Sequence, residues 1–541
     1  MMTMPNSVKN KRGALTKQGR SFLDIDGRSL KIRDLADFIS DSKRMVKVAG
    51  SARKSIRSSF DFVTNGINGQ IVYGVNTGFG PMASHIIGKK ELANLQVNLV
   101  RSHAVGMGDS LPESFVLAAM IVRLNTLVIG YSGVSEELID RLILFINNRI
   151  LPIVPDHGAV GTSGDLTQLA HIGLSLIGEG EVIYRGERMS TRTALRRVGI
   201  AQSYKLRSRE GLALINGTSM MSAIGAILCT SAIDLAENAV GLGAFGLELV
   251  SAFNDSYSEK LQSVRPHPGQ KMVAKMLRDF LQNSKFVKTR KGLNKSVKIT
   301  DYTREVPNGV QEVYSLRCLP QILGPILDTI IESSRVIGIE INSVTDNPIV
   351  DMSKKSFLHG GNFHGDYVSL AVDKLKIAIT KLTMLSERQI NFLLNDAINK
   401  KFPPFLNLGT LGLNLGLQGL QFVATSTTAR NQTLCFPQYI HSIPTNKDNQ
   451  DIVSMGTDAA LIAKQIIDGA YVVLSIEAIV LAQAYDVLNR PEGLSRSSSE
   501  IFKRIRGIMK PIIKDRVLNT EVNSVLASLK ASPFNKIQTI L

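Results

Sequence analysis

Apolar positions recur every three or four residues along most of the chain. Val368, Val372, Leu375, Ile379, Leu382 and Leu385 form one continuous stripe, which predicts a helix over about 366–395. A stripe that long needs partner helices to cover it. Similar patterns at about 113–130, 220–253, 319–341 and 457–486 supply them. Ser135 predicts a helix start: Glu136 and Glu137 fill the first turn, Leu138, Leu142, Phe145 and Ile146 share one face, and Pro152 lies beyond the end. Alternating, strand-like segments are few and short, Glu181-Val182-Ile183-Tyr184 being the best. The pattern therefore predicts a mainly α fold built on a bundle of long helices, with no fixed-period repeat and no Pro- or Ser-rich linker.

The 541 residues are 44% hydrophobic and 20% charged, which excludes a disordered chain. A net charge of +17 raises the prospect of a polyanion partner, but its distribution argues against one. Residues 1–60 carry 14 basic and 5 acidic side chains, residues 271–298 carry 9 and 1, and the remainder sums to zero. Neither stretch interleaves aromatics or matches a groove-reading motif, so no nucleic acid is expected. The first twenty residues, with Lys9, Lys11, Arg12, Lys17 and Arg20, have no apolar run and read as a basic flexible tail. Gly211 to Ile233 lacks charge over a bilayer's length, yet Asn216, Thr218, Ser219, Ser222, Thr230 and Ser231 suit a helix buried in protein, so no membrane is expected. Cys229, Cys318 and Cys435 are too scattered for a metal site or a disulfide framework, which fits a reducing, cytoplasmic setting.

Candidate chemistry sits in the breaks between helices. Tyr73-Gly-Val-Asn-Thr-Gly78-Phe-Gly80-Pro81 places one phenol in a glycine-rich segment, read either as a lid or as an ordinary surface turn; it matches no phosphate-loop pattern. Gly158-Ala-Val-Gly161-Thr162-Ser163-Gly164-Asp165 precedes an apolar helical run from Leu166 to Ile177. Taken alone, its serine is a helix cap. Its other potential is covalent. Attack of the Gly164 nitrogen on the Thr162 carbonyl, followed by loss of water from Ser163, makes a five-membered ring with an exocyclic methylene. No common side chain is electrophilic, so this ring would let a protein without an external cofactor activate an amine as a leaving group. A following helix N-terminus favours negative charge beside it.

With these motifs the sequence, from about residue 20 to 490, resembles the aromatic amino acid lyase family of histidine, tyrosine and phenylalanine ammonia-lyases and the related 2,3-aminomutases. The resemblance implies that Thr162-Ser163-Gly164 becomes 4-methylidene-imidazol-5-one (MIO), with Thr162 in place of the commoner Ala, and that no metal is used. It implies that Tyr73 is the lid residue that removes the substrate β-proton. A phenol with a pKa of about 10 needs a desolvated site to do so. Asn216, in Ile215-Asn216-Gly217-Thr218-Ser219, would contact the MIO carbonyl. The segment Gln311-Glu312-Val313-Tyr314-Ser315-Leu316-Arg317 matches the family's Gln-Asp-x-Tyr-Ser-x-Arg. Arg317 would clamp the substrate carboxylate, Tyr314 would lie beside the reacting carbons, and Gln311 belongs to the same binding set. Asn347, in Asp346-Asn347-Pro348, would add a bond to the carboxylate. Phe363, in Gly361-Asn362-Phe363-His364-Gly365, would meet the substrate ring, and Gln450 would come from another subunit's loop.

Arg101-Ser102-His103 lines up with the family's selectivity pair, where Ser-His is typical of histidine lyases. Histidine lyases carry Glu in the segment matching Thr428-Ala429-Arg430-Asn431-Gln432, where this chain has Arg430. A cation there repels an imidazolium and suits a phenol oxygen. Together with likeness to bacterial tyrosine lyases around Gly360–Tyr367 and Asp373–Ile377, this favours L-tyrosine, deaminated to p-coumarate, over L-histidine to urocanate; a 2,3-aminomutase is the further alternative. The resemblance also implies a homotetramer with shared active sites. The organisation expected is a tail (1–20), an N-terminal α+β head with the MIO triplet (21–215), a long-helix bundle (216–490) and a C-terminal helical segment (491–541). A polyanion-binding protein and a helical scaffold without catalysis are the rivals from other classes.

Overall fold

A computed structural model describes residues 21–67, 69–296, 302–303, 305–306, 309–490 and 492–534. The basic tail lies outside these residues. The long apolar stripes are helices where the pattern places them: Glu113–Val128, Ser219–Leu249, Leu319–Glu340, Asp366–Leu394 and Gly456–Leu488. Ser135 caps Glu136–Asn147 by accepting from Leu138 N at 3.2 Å. Two of the helices, Ser219–Leu249 and Gly456–Leu488, are long and apolar enough to cross a bilayer, and 78% of each such window is buried inside the protein. Their all-round apolar surface is explained by burial.

The chain forms two compact units, and four of the five boundaries between them fall inside the long helices. The first comprises Met1–Ile227, Val336–Leu370 and Gln438–Asp458, the second Leu228–Arg335, Ala371–Pro437 and Ala459–Leu541. A single cut between head and bundle at 215/216 does not describe this division. Two later stretches, 336–370 and 438–458, return to the first unit, because the loops they contain complete the environment of the Ser163 turn.

In the first unit, Glu113–Val128 is covered on every face, with Glu136–Asn147, Ile32–Ser40 and Gly50–Asn65 packed around it. Strands are short here. Phe22–Ile25 pairs in parallel with Met45–Val48, while Glu181–Tyr184 pairs antiparallel with Glu187–Ser190 and Leu151–Pro152. A small cluster of Val63, Val72, Val75 and Val350 anchors the chain on both sides of Tyr73.

In the second unit, polar side chains tie the long helices to one another. Ser333 Oγ donates to Ala371 O at 2.9 Å, and Asn431 Nδ2 donates to Ile466 O at 3.0 Å. The side chain of Asn431 takes the space that a Cβ at Gly469 would need, so a larger residue there would push these helices apart. The basic stretch beginning at 271 is partly neutralised at its surface: Lys275 pairs with Asp279 at 2.8 Å and Arg290 pairs with Asp255. All three cysteines are free, and burial pushes the Cys229 thiol up to about 12.

Candidate active site

The Thr162-Ser163-Gly164 turn is tight. Bridges join Gly161 to Gly164 and Thr162 to Gly164, so residue 164 folds back beside residue 162. Gly164 has φ +72°, and a Cβ there would collide with the backbone of Gly217. Only glycine fits both the conformation and the close approach. Ring closure through Gly164 N and Thr162 C needs this compression, and it leaves the Ser163 carbonyl as the ring carbonyl, conjugated to the methylene derived from Ser163. The residues present therefore fit an MIO group.

Several segments hold the turn. Gly217 N donates to Ser163 O at 3.3 Å, and Asp165 N donates to Gly217 O at 2.8 Å. Gly365 N and Ser454 Oγ both donate to Gly161 O at 3.0 Å. Thr162 is buried, with its hydroxyl directed to Ile452 O at 3.5 Å, so the larger first residue is accommodated. Asp165 is fully buried and accepts from Met220 N at 2.8 Å, from Met221 N at 2.9 Å and from the Thr457 hydroxyl. It thus binds the first turns of Ser219–Leu249 and Gly456–Leu488 while standing at the head of its own helix, Leu166–Leu176. Three helix N-termini, each favouring negative charge, meet beside the triplet. Burial pushes Asp165 up to about 6, partly opposed by the Thr457 hydroxyl and the two N–H donors.

Gln450 lies within this chain's own site. Its Nε2 donates to Ser163 Oγ at 3.0 Å, from a narrow loop closed by paired bonds between Thr445 and Gln450. The expectation that another subunit delivers it is corrected accordingly, since the segment 438–458 belongs to the first unit. Asn446, Lys447 and Asp448 all take positive φ, which makes the turn narrow enough. Asn446 also packs against Gly80 of the Tyr73 segment, so the two loops meet. Tyr73 is half-buried, and its hydroxyl oxygen accepts from Gly80 N at 3.1 Å. Its segment is an ordered loop, closed by Gly78 N to His85 O and Ile87 N to Asn76 O, both 2.9 Å.

Asn216 is 3% exposed, and its Nδ2 donates to Asp346 Oδ1 at 3.2 Å and Asn347 O at 3.3 Å. Asn347 Oδ1 accepts from Gly360 N at 2.7 Å, which leaves its amide nitrogen as the side chain's donor for a ligand. Phe363 is half-buried in the same turn. The sequence reading missed the charges beneath these amides. Arg209 and Asp346 form an ion pair of 3.0 Å with both side chains fully buried, and Arg123, 1% exposed, bonds to Ala213 O and Asn216 O. Burial lowers Arg123 to about 10, so it stays protonated at neutral pH. One signal was available: a single arginine inside the otherwise apolar run 115–124.

Ser102 and His103 end the helix Leu92–His103. His103 Nδ1 lies 2.9 Å from Leu99 O and 3.1 Å from Ser102 Oγ; in the tautomer that donates from Nδ1 to that carbonyl, Nε2 is the ring's acceptor. Arg101 points elsewhere, pairing with Glu179.

Gln311, Tyr314, Arg317 and Arg430 belong to the second unit. Arg317 stacks over the Tyr314 ring at 4.8 Å and bonds to Gln311 Oε1, so these three are assembled together. Arg317 and Glu312 line a cavity of about 200 Å³ with Asp255 and Arg290. Glu312, the longer homologue of the family's Asp, accepts from Phe253 N at 2.8 Å. Arg430 is exposed and reaches Gln465 Oε1 at 3.4 Å. Among the described residues, no cluster of His, Cys, Asp and Glu could hold a metal ion.

The family model for aromatic amino acid lyases matches residues 30–507. A histidine ammonia-lyase of Caldanaerobacter subterraneus is 37% identical over 95% of this chain and 97% of its own length. The solved tyrosine aminomutase of Streptomyces globisporus superposes with a TM-score of 0.90 at 33% identity, covering 95% of this chain and 97% of that one. Histidine ammonia-lyase from Trypanosoma cruzi gives 0.85 at 30% identity, covering 95% and 94%. Matched over most of its length by that model and by relatives of near-equal length, the chain belongs to the aromatic amino acid lyase family and is a carbon–nitrogen lyase.

Proposed function

We propose that the protein eliminates ammonia from an aromatic L-amino acid, using an MIO electrophile made from its own Thr162-Ser163-Gly164. The observation that carries this reading is the compressed glycine turn. Its Ser163 hydroxyl is held by Gln450 and its Ser163 carbonyl by Gly217 N–H. The MIO group supplies an electrophilic carbon that turns the substrate amine into a leaving group. The remaining work falls to side chains. Tyr73 takes the β-proton from a loop anchored on both sides. Asn347 binds the carboxylate, and Arg317, oriented by Gln311 and by the Tyr314 ring, is a further carboxylate ligand for the shared sites of the proposed homotetramer. Phe363 packs against the substrate ring, and His103 Nε2 accepts a hydrogen bond from its polar end.

L-Histidine, converted to urocanate, is the substrate best supported. Curated relatives that are 36–39% identical over most of the chain carry that activity in their names, and Ser102-His103 agrees. This reverses the order expected from Arg430. L-Tyrosine, converted to p-coumarate, is the second reading: Arg430 stands where histidine lyases have Glu, and structural neighbours include a tyrosine aminomutase. A homotetramer with shared sites belongs to the same proposal, as does a cytoplasmic location.

Incubation of the purified protein with L-histidine, L-tyrosine and L-phenylalanine side by side, followed by acrylate absorbance and chromatography, tests the reading. The expected result is urocanate and ammonia, with intact mass lower by two waters. A β-amino acid product would make it an aminomutase. Absence of acrylate, ammonia and β-amino acid, with no loss of water from the chain, would overturn it.

A further inference from the structure

The peptide between Asn216 and Gly217 has its two polar ends engaged in opposite directions. Its N–H donates to the Ser163 carbonyl at 3.3 Å, and its C=O accepts from Arg123 Nη2 at 2.8 Å. Arg123 is buried in the middle of Glu113–Val128, and its Nε and Nη2 also hold Ala213 O, the carbonyl three residues earlier on the short helix Glu210–Ile215. Its remaining nitrogen, Nη1, has no hydrogen-bond partner among the described residues. It lies where a Cβ on residue 217 would stand, beside Thr345. Gly217 has φ +148°, and only glycine lets the guanidinium and the Ser163 turn approach the same peptide from both sides.

The geometry points to Arg123 as a positioning residue that polarises the Ser163 carbonyl through the Asn216–Gly217 peptide. This rests on the proposed MIO chemistry. The physical reason is a linear relay, guanidinium to peptide oxygen, then peptide N–H to carbonyl oxygen. A charge-assisted bond to an amide oxygen makes that amide's N–H a stronger donor, and the effect is larger in a dry, low-dielectric interior. After ring closure the Ser163 carbonyl is conjugated to the methylene, so pulling electron density toward its oxygen makes the methylene more electrophilic. The same contact fixes the backbone of Asn216, whose side chain is held in turn by Asp346 Oδ1 and Asn347 O. Arg209, the neighbouring buried arginine, faces Asp346, Ser132 O and Pro348 O, so its charge is already matched by a carboxylate. Arg123 feels Asp346 and Asp165 only through space, and all its hydrogen bonds go to carbonyls, so its direct polarising contact is with the peptide.

The test compares the parent with Arg123→Lys and Arg123→Met in the full-length protein. Three readouts are needed: kcat and KM, intact mass, and the ultraviolet band of the cyclised triplet, taken as the difference spectrum against Ser163→Ala. Removing a preorganised donor from a developing charge typically costs about 100-fold in kcat, and loss of its polariser should cost on the order of 10- to 100-fold. The expected result is that fall in kcat for Arg123→Met, KM within about threefold, both waters still lost, and a band shifted to shorter wavelength. Arg123→Lys should recover part of both the rate and the shift. If Arg123→Met does not fold, Arg123→Gln takes its place as the neutral variant. A folded neutral variant with the parent's band and kcat would overturn the inference, and so would one whose kcat falls while its band stays at the parent's position. Parent protein that neither loses two waters nor turns over substrate would instead mean that the proposed function itself has failed.

Discussion

Gln450 Nε2 donates to Ser163 Oγ at 3.0 Å. In the proposed chemistry that hydroxyl is the group that leaves as water when the triplet becomes an electrophile. A donor placed on a departing oxygen stabilises the charge that builds there, so Gln450 has a role before any substrate arrives. Gln450→Leu should retain the Ser163 oxygen longer after synthesis. Intact mass of freshly made protein should show a fraction one water heavier than the parent, and maturation should slow about 10- to 100-fold, the worth of one such bond at 1–3 kcal/mol. Immediate and full loss of both waters in Gln450→Leu would confine the residue to substrate binding.

Tyr73 is held by Val72 and Val75, which lie in the apolar cluster with Val63 and Val350, and its hydroxyl oxygen receives the Gly80 N–H. Tyr73→Phe removes the acceptor and the proposed base while keeping the ring that packs edge-on against Phe79 at 6.2 Å. The expected outcome is a fall in kcat of about 100-fold or more with KM nearly unchanged, as loss of a general base predicts. The loss of two waters should be unaffected. Steady-state kinetics with intact mass checks both, and a kcat within about threefold of the parent would remove Tyr73 from proton transfer.

The helices were readable because each long stripe is apolar at helical spacing and each ends at a cap or a break. Ser135 with Leu138 and the 366–394 stripe are examples. The triplet was readable because Gly161, Ser163 and Gly164 stand together before a helix. What local pattern does not encode is which distant segments return to the turn. Asp165 was visible as the residue after the triplet, but its bonds to Met220, Met221 and Thr457 span 55 to 292 positions. Gln450 was legible as part of a motif, yet its chain of origin was misassigned, because sequence carries no information on whether a loop closes on its own subunit. Arg123 and Arg209 went unassigned because a charge inside an apolar helix acquires its meaning only from the carbonyls and carboxylate opposite.

Asp346 and Arg209 are fully buried at 3.0 Å, and Asp346 also accepts from Asn216 Nδ2 and Asn347 N. Removing one partner of such a pair leaves an uncompensated buried charge, which costs about 3–5 kcal/mol. Asp346→Ala should therefore lower stability by that order in a denaturant titration and release Asn216 and Asn347 together. Asp346→Asn keeps the hydrogen-bonding shape but not the charge, and should fall between the two. A destabilisation of Asp346→Ala below about 1 kcal/mol, the range of an exposed pair, would contradict the buried placement.

Glu477 sits in the middle of Gly456–Leu488 at 1% exposure, and burial raises its carboxyl to about 8, with the Ser386 hydroxyl pulling the other way. The folded pKa lies above the ordinary value of 4.5, so the folded protein holds this proton more tightly than the unfolded chain does. Its contribution is most favourable below pH 4.5, declines as pH rises and the unfolded chain deprotonates, and stops changing once pH passes about 8. Glu477→Gln keeps the shape of the neutral acid and cannot ionise. The difference in thermal midpoint, variant minus parent, should therefore be smallest near pH 5 and grow steadily toward pH 8, reaching several degrees, then level off. Melting curves of both proteins at unit pH steps check this. A difference that stays constant across the range would mean that Glu477 ionises as freely in the folded protein as in the unfolded chain.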